Sequence, residues 1–263
     1  MAFGIGELTY ISGLPVSLPL RDGLVSTPQG WNAVSGRPGD LDAAMAEGAL
    51  AGGPISSLEF LQHRERYVLV PDLALSSWGR IGSATLFSRV PFSALGGKTI
   101  ALPRAGATSN VLTQMLLKEI FGIEALYEEL DGTPEALLES HTAALVIGDE
   151  AILWNRKPLD LNRLDLGEAW WQMMQTPMVY TLWAVQRSLP EDERQALITL
   201  FQQAKEAGKA AHARVVAEAA ERLSLPTPEI EAYYALLNYD FAPVHRAGLS
   251  AFDEFLSELT PAG

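Results

Sequence analysis

Short apolar runs alternate along the chain with stretches of helical periodicity. Each run has the length of a strand and is bounded by Gly, Pro or polar residues. The predicted strands are Gly4 to Tyr10, Tyr67 to Pro71, Ser83 to Phe87, Lys98 to Leu102, Ala143 to Ile147 and Val179 to Val185. The run from Ala143 to Ile147 is apolar throughout, which is typical of a strand covered on both faces. The alternation predicts an α/β fold with mixed sheets flanked by helices.

Helical spacing is clearest in the middle and in the last third of the chain. Apolar residues repeat at Val111, Met115, Leu116 and Ile120. Gly122 follows as a C-cap. The segment 188 to 191, Ser-Leu-Pro-Glu, predicts a capping-box start for a helix that runs to about residue 223, with a break near Gly208. A last amphipathic helix is expected after Gly248.

Two segments have the composition of crossings between lobes. One spans residues 88 to 97 and contains Pro91 and the pair Gly96-Gly97, and the other lies near Pro177. If both are hinges, residues 89 to 178 form an inserted second lobe, while residues 1 to 88 and 179 to 263 build the first. The sequence therefore predicts a two-lobed protein with a ligand cleft between the lobes.

The charge and the cysteine count exclude several classes of function. The chain of 263 residues carries a formal net charge of -13 and contains no cysteine. Disulfides, thiolate metal sites and thiol nucleophiles are therefore ruled out. The acidic balance argues against nucleic acid and against an anionic membrane surface as partners. A small organic anion is still allowed, because a local pocket of donors can oppose the global field.

The first twenty residues lack the pattern of an exported protein. The first basic residue is Arg21, and Glu7, Thr9 and Ser12 interrupt the apolar positions. A secretory signal needs a basic start and an unbroken apolar stretch. We therefore expect a cytoplasmic location.

The segment from Gly97 to Leu117 is the most informative for chemistry. A strand ends at Leu102, small residues follow, and a helix is expected to start near Thr108 or Ser109. Either hydroxyl is a good N-cap. The amides and dipole of such a helix end form a site for a carboxylate or phosphate. Plain capping is the alternative, and the Gly-Lys-Ser/Thr ending of a P-loop is missing.

Four further polar residues lie at strand ends or interrupt apolar runs. Ser56 and Ser57 precede a helical stretch, Ser83 interrupts an apolar strand, and Asp149 follows the buried run 143 to 147. Hydroxyls can hold carboxylate oxygens, but a lone serine in a strand is more often a packing residue. For Asp149, a role as N-cap is at least as good an interpretation as contact with a substrate.

Standard catalytic constellations are missing from the sequence. The four histidines, His63, His141, His212 and His245, show no ligand-like spacing, which argues against a metal site. There is no Gly-x-Ser-x-Gly nucleophile elbow and no dinucleotide-binding fingerprint. We expect no metal and no cofactor.

Several segments taken together resemble one family. These segments are Tyr10-Ile11-Ser12-Gly13-Leu14-Pro15, Pro54-Ile55-Ser56-Ser57-Leu58-Glu59-Phe60, Leu69-Val70-Pro71-Asp72-Leu73-Ala74-Leu75-Ser76-Ser77, Gly106-Ala107-Thr108-Ser109, Gly148-Asp149-Glu150-Ala151, Asp165-Leu166-Gly167, Leu182-Trp183-Ala184 and Gly248-Leu249-x-x-Phe252. Their order resembles that found in the chorismate dehydratases of the futalosine route to menaquinone. The resemblance spans nearly the whole chain.

The resemblance implies a fold like that of type 2 periplasmic solute-binding proteins and a reaction on chorismate, a dianionic small molecule. Loss of the ring C3 hydrogen and the C4 hydroxyl gives 3-[(1-carboxyvinyl)oxy]benzoate and needs no cofactor, because the ring becomes aromatic. A substrate carboxylate is a candidate for the base. The enzyme then supplies orientation and charge placement.

The resemblance also assigns roles to individual residues. Thr108 and Ser109 would hold one carboxylate at the helix N-terminus, and Asp149 would close the far side. Ser56, Ser57 and Ser83 would contact the substrate from the other lobe. Ser12 takes the place of a family Asn and would be the catalytic residue, as a shorter and less directional donor.

The segment Ala51-Gly52-Gly53-Pro54 is a second departure from the family pattern. The resemblance implies a strand that contains Asp at this place, whereas this chain has Pro54. Proline removes a ladder donor, which predicts an edge strand or an irregular one.

Two alternative functions remain open at this point. One is a solute-binding protein without chemistry, and the other is the sister enzyme of the same route, 1,4-dihydroxy-6-naphthoate synthase, which shares the fold. The segments Leu14-Pro15 and Gly148-Asp149-Glu150-Ala151 are closer to the dehydratase. The sequence also leaves open whether the protein is a monomer or a homodimer.

Overall fold

The computed structural model describes residues 3–27 and 30–259. Its strands are β1 (Phe3–Leu8), β2 (Trp31–Gly36), β3 (Leu50–Ser56), β4 (Tyr67–Ser77), β5 (Ala84–Ser88), β6 (Thr99–Leu102), β7 (Leu126–Glu129), β8 (Ala143–Ile147), β9 (Asn162–Asp165), β10 (Met178–Gln186) and β11 (Leu237–Asn238). Its α-helices are α1 (Leu14–Arg21), α2 (Pro38–Ala46), α3 (Ser57–Gln62), α4 (Ala107–Phe121), α5 (Pro134–Ser140), α6 (Gly148–Asn155), α7 (Leu166–Met174), α8 (Glu191–Ala210), α9 (His212–Leu223), α10 (Thr227–Tyr234) and α11 (Pro243–Leu259).

The strands form two separate mixed sheets. The six-stranded sheet has the order β11-β4-β10-β3-β1-β2, with β1 parallel to β2 and β3, and β10 antiparallel to β3. The five-stranded sheet has the order β7-β6-β8-β5-β9, in which β5 runs antiparallel to β8 and β9. Helices link the parallel strands of both sheets. The predicted α/β class with mixed sheets flanked by helices is confirmed.

The residue contacts divide the chain into two compact units. The first contains residues 1–75 and 179–242, and the second contains residues 76–178 and 243–263. This division differs from the expected lobes in the placement of residues 76–88 and of the C-terminal helix. Residues 84–88 belong to the second unit because β5 is a strand of the five-stranded sheet. Helix α11 belongs there because Phe252 and Phe255 pack edge-on against Trp170.

The predicted strands are all present, with ends shifted by a few residues at most except in β4, which extends to Ser77. Strand β8 matches its predicted bounds. The predicted strands do not include β2, β7, β9 and β11, and β3 is expected only as an edge strand or an irregular one. Most of β2 is exposed, so that its residues show no alternation of apolar and polar positions. Strand β3 is buried throughout but is built from Ala, Gly and Pro between its ends.

Pro54 corrects the expectation of an edge strand. Strand β3 lies inside the six-stranded sheet, and Pro54 is opposite Trp183 of β10. The expected irregularity is present, because the register between β1 and β3 shifts after Gly4. The two strands approach closely beyond the shift: a Cβ on Gly53 would lie 2.8 Å from the Cα of Gly6. Glycines and a proline are therefore accommodated where the regular ladder is interrupted.

The ends of the helices correct two further expectations. Helix α8 begins at Glu191 with Pro190 as N-cap and no side-chain capping bond, so the capping box at Ser188 does not form. The break expected near Gly208 is present at Ala211, and the helical segment ends at Leu223 as predicted. The last helix begins at Pro243, before Gly248. Gly122 does end α4, with φ 62°, as the sequence predicted.

Gly208 lies where α8 crosses closest to α1. A Cβ at this position would overlap the carbonyl oxygen of Pro15. Around this crossing the core of the first unit is formed by aliphatic and aromatic side chains that include Val16, Trp183 and Phe201. The missing side chain of Gly208 thus sets the distance between the two helices.

Among residues 3–27 and 30–259, no helix is long and apolar enough to cross a membrane.

We expect Gly208→Ala to lower the free energy of unfolding by about 1–3 kcal/mol, because the added methyl group forces α8 away from α1. The loss should outweigh the helix propensity of Ala, which favours the variant by about 1 kcal/mol. Urea denaturation measures the effect. Gly96→Ala is the control, since a Cβ there has no neighbour within 4 Å. Equal stability of the two variants would contradict the close helix crossing.

Candidate substrate-binding site

In the first unit, the candidate residues lie beyond the carboxyl ends of two neighbouring parallel strands. Strand β1 is followed by a 3₁₀ turn, Ile11–Gly13, which contains Ser12. Strand β3 ends at Ser56, and Ser57 opens α3. Because β1 and β3 are parallel, Ser12, Ser56 and Ser57 all lie at the same edge of the six-stranded sheet.

Ser56 and Ser57 both have clear roles in holding the local structure. The Ser56 hydroxyl accepts a hydrogen bond from the Glu59 amide at 3.0 Å and so caps α3. The Ser57 hydroxyl is fully buried and donates to the carbonyl oxygen of Val179 at 2.7 Å. Ser57 thereby fixes the start of α3 to the strand next to β3.

Asp42 is hydrogen-bonded to the backbone of Ser56, a contact that the sequence analysis missed. Its Oδ1 accepts the Ser56 amide at 2.7 Å. Burial raises the pKa of the Asp42 carboxyl to about 6, an effect that the hydrogen bonds from Ser56 reduce and the charge of Glu59 increases. The sequence of α2 around Asp42 contains no local signal for this contact, which spans 14 residues.

Ser12 is buried, with 6% of its surface exposed. Its carbonyl oxygen accepts a hydrogen bond from the Tyr239 hydroxyl at 2.8 Å. Its own hydroxyl forms no hydrogen bond with another residue in the described part of the chain. The side chain therefore differs from those of Ser56 and Ser57, since the local structure does not use it.

In the second unit, the helices α4, α6 and α7 begin at one edge of the five-stranded sheet. Strands β6, β8 and β9 all have their carboxyl ends at this edge, because β6 is parallel to β8 and β5 is antiparallel to both β8 and β9. Helices α4, α6 and α7 follow these strands. Ser83 precedes β5 at the same edge, where its carbonyl oxygen accepts the Gly148 amide at 2.8 Å. The fold thus brings Ser83, Thr108, Ser109 and Asp149 to one sheet edge.

The starts of α4 and α6 correct the expected N-caps. Helix α4 begins at Ala107, so that Thr108 and Ser109 lie inside its first turn and Gly106 is the N-cap. Helix α6 has Ile147 as N-cap, and Asp149 lies in its first turn. Neither helix has a side-chain capping bond at its N-cap. In α4 the N-cap is a glycine, and a Cβ at this position would overlap Oδ1 of Asn110.

The three helix starts differ in charge. Asp165 caps α7, since its Oδ1 accepts the amides of Gly167 and Glu168. The first turn of α6 contains Asp149 and Glu150. The first turn of α4 contains no acidic residue. Because the N-terminal amides and the positive end of the dipole attract an anion, the start of α4 is the best of the three for a carboxylate.

Asn110 holds the loop before α4 and was also missed from the sequence. Its Nδ2 donates to the carbonyl oxygen of Pro103 at 2.9 Å and to Glu129 Oε1 at 3.2 Å. Its Oδ1 is buried without a hydrogen-bond partner among the described residues. An Asn in the first turns of a helix carries no sequence signal for this task, since both acceptors depend on the tertiary fold.

The histidines do not assemble into a site. His141 is buried, and its Nε2 lies 3.1 Å from Glu128 Oε2. His212 is exposed and pairs with Glu231, and His63 lies next to Glu59. Over residues 3–27 and 30–259, no three His, Asp or Glu side chains are grouped so that they could hold a metal ion.

Solved structures place the fold among the periplasmic binding proteins. The periplasmic aliphatic sulphonate binding protein SsuA of Escherichia coli is 14% identical, with a TM-score of 0.61 over 99% of this chain and 88% of that chain. A protein of Archaeoglobus fulgidus is 18% identical, with a TM-score of 0.79 over 97% of this chain and 96% of that chain. The class of the protein is thus the two-sheet binding-protein fold that the sequence predicted.

The chain belongs to the menaquinone biosynthesis family, whose model matches residues 3–258. It is also 30% identical to the chorismate dehydratase of Thermus thermophilus over 244 residues, which cover 87% of this chain and 88% of that protein. The family resemblance that the sequence motifs indicated is therefore confirmed.

The raised pKa of Asp42 predicts that the free energy of unfolding decreases as the pH rises. Because the folded pKa is about 6 and the usual value for an Asp side chain is 3.8, the unfolded chain releases this proton first, and stability is lost as the pH rises through this window. Asp42→Asn removes the ionisation. Relative to the parent protein, the variant should gain up to about 3 kcal/mol in unfolding free energy between pH 4 and pH 7.

Urea denaturation across this pH range measures the gain. Asp40→Asn is the control, because the hydrogen bonds and charge of Arg37 lower the pKa of Asp40 and its removal should change the pH dependence in the opposite direction. A stability difference between Asp42→Asn and the parent that does not change with pH would contradict a buried, proton-retaining Asp42.

Proposed function

We propose that the protein is a lyase that removes water from chorismate to give 3-[(1-carboxyvinyl)oxy]benzoate in menaquinone biosynthesis. The observation that carries the proposal is membership of the menaquinone biosynthesis family together with 30% identity to a chorismate dehydratase over 87% of the chain. The local chemistry supports it, since a helix start suited to a carboxylate and several hydroxyls lie at the strand ends.

The start of α4 is the proposed site for one substrate carboxylate. Its first turn has no acidic residue and no side-chain cap, and it contains Thr108 and Ser109. A carboxylate accepts hydrogen bonds from the amides of such a turn, and a hydroxyl adds a further donor. Ser109 is only partly buried, which leaves its side chain accessible to a ligand.

Asp149 suits a different part of the substrate. A carboxylate repels a second carboxylate, and the first turn of α6 holds two acidic residues. We therefore assign Asp149 to a substrate hydroxyl group, from which it would accept a hydrogen bond. Ser83, whose backbone joins the start of α6, would contact the substrate at the same sheet edge.

Ser56 and Ser57 would act at the sheet edge of the first unit. Both hydroxyls are buried and have structural hydrogen bonds, so their proposed part is to shape the site beside the substrate. Ser12 is the better candidate for chemistry, because its hydroxyl has no partner in the described part of the chain.

The proposed reaction needs one base and one donor. The base takes the proton from ring C3, the electrons of the C–H bond form the new C3–C4 double bond, and the C4–O bond breaks. The Ser12 hydroxyl donates a hydrogen bond to the departing C4 oxygen, which leaves as water with the transferred proton. The enolpyruvyl carboxylate of the substrate is the proposed base. Aromatisation of the ring drives the elimination.

Incubation with chorismate tests the proposal directly. The ring absorbance should change as the product becomes aromatic, and mass spectrometry should show loss of one water. Release of dihydroxynaphthoate from cyclised futalosine, with chorismate unchanged, would identify the sister enzyme instead. An analogue that lacks the enolpyruvyl carboxylate should bind without reacting, and normal turnover of that analogue would exclude the substrate as its own base.

A binding protein without chemistry is the second candidate. It is supported by the fold that the chain shares with a sulphonate binding protein. In that case chorismate or another small organic anion should bind saturably, and no product should appear.

Ser109→Ala should weaken the binding of chorismate by roughly tenfold, because a hydrogen bond to a charged group contributes about 1.5–3 kcal/mol. The thermal midpoint should change little, since Ser109 is not the N-cap. Isothermal titration and a melting curve measure the two effects. Ser257→Ala is the control, a helix serine whose hydroxyl donates to the carbonyl oxygen of Asp253. Unchanged affinity with a large loss of stability would show that Ser109 is merely structural.

Ser12→Asn should preserve or raise kcat, because it restores a longer and more directional donor of the kind that the family resemblance implies. Steady-state kinetics with chorismate measure the effect, and circular dichroism checks that the variant is folded. A folded variant without activity would mean that the site is built around serine.

A further inference from the structure

Two tyrosine hydroxyls donate to consecutive carbonyl groups of the turn that contains Ser12. The Tyr234 hydroxyl lies 2.8 Å from the carbonyl oxygen of Ile11, and the Tyr239 hydroxyl lies 2.8 Å from that of Ser12. Tyr234 ends α10 and Tyr239 follows β11, so both come from the far end of the chain. The turn itself has two backbone hydrogen bonds, from the Gly13 amide to the Tyr10 carbonyl oxygen and from the Leu14 amide to that of Ile11, and it has no side-chain cap.

Tyr239 is itself held in place by several bonds. Its carbonyl oxygen accepts the Ala74 amide at 3.3 Å. Lys205 forms ion pairs with Asp240 at 2.6 Å and with Asp72 at 3.3 Å, and Asp72 Oδ1 accepts the Phe241 amide at 3.2 Å. The residues around Tyr239 are thus attached to β4 and α8. A side chain fixed in this way can hold a neighbouring turn.

Both tyrosines are suited to be donors. Tyr234 is buried and Tyr239 is partly buried. Burial raises the pKa of Tyr239 well above its usual value, and the neighbouring phenols Tyr234 and Tyr233 raise it further. The phenol therefore stays neutral and keeps its proton for the bond to Ser12. A phenol also has few rotatable bonds, so that little entropy is lost in holding it.

We infer that Tyr239 and Tyr234 are positioning residues, which hold the turn Ile11–Gly13 from behind so that the Ser12 hydroxyl meets the departing oxygen of the substrate. This inference rests on the proposed function of Ser12. Neither tyrosine contacts the reacting atoms in this scheme. Their effect passes through the backbone of Ile11 and Ser12.

Tyr239→Phe and Tyr234→Phe test the inference, because each removes one hydroxyl and keeps the ring. We expect Tyr239→Phe to lower kcat for chorismate roughly 3- to 10-fold, the range of one hydrogen bond, with KM changed less than about twofold. A cavity of about 240 Å³ borders Tyr239, and water from it can partly replace the lost donor, which keeps the effect moderate. Tyr127→Phe is the control, a half-buried tyrosine with no hydrogen bond to a described residue.

Two further measurements separate positioning from a general loss of structure. Hydrogen exchange of the peptide covering residues 9–17 should be faster in Tyr239→Phe than in the parent or in Tyr127→Phe. In a Ser12→Ala background, Tyr239→Phe should cause no further fall in kcat, because it acts through Ser12. Additive losses in the double variant, or unchanged exchange and kcat in Tyr239→Phe, would overturn the inference.

The exchange measurement does not depend on the reaction. If the parent protein fails to turn over chorismate, the proposed function is rejected, and the exchange of residues 9–17 alone decides whether the tyrosines hold the turn. Faster exchange in the two tyrosine variants then supports the structural part of the inference, and unchanged exchange overturns it.

Discussion

The start of α4 is the feature on which the proposed chemistry depends. Four helices follow strands that end at one edge of the five-stranded sheet, but among these only α4 combines an uncapped start with a first turn free of acidic residues. Its amides therefore face neither a capping side chain nor a neighbouring carboxylate of their own turn. The N-cap has no side chain because it is Gly106, and a Cβ at this position would overlap Oδ1 of Asn110.

This arrangement would allow an acidic protein to bind the proposed anionic substrate. The net charge of -13 repels a dianion at long range. At short range, the amides and the dipole of one helix end provide positive potential. The acidic residues at this sheet edge include those in the first turn of α6, the cap of α7 and Glu129, whose Oε1 accepts a hydrogen bond from Asn110 Nδ2.

In the first unit, the serine hydroxyls at the sheet edge differ in their hydrogen bonds. Those of Ser57 and Ser56 hold α3, whereas the Ser12 hydroxyl is left without a partner in the described part of the chain. The backbone of Ser12 is bonded by a tyrosine from the C-terminal region. A residue that the fold holds by its backbone can keep its side chain for a substrate, and this division suits a reaction in which orientation does most of the work.

The sequence by itself determined the fold class, the bounds of β8, the C-cap at Gly122 and the residue types at the strand ends, because these depend on periodicity and local turn chemistry. Only the tertiary structure decided that β3 lies inside its sheet, that Gly106 is the N-cap of α4 and that Tyr239 reaches Ser12 across 227 residues. The physical reason is the same in each case. A capping bond, a strand neighbour and a buried donor are chosen by which groups the folded chain brings together, and a local pattern contains no information about a distant partner.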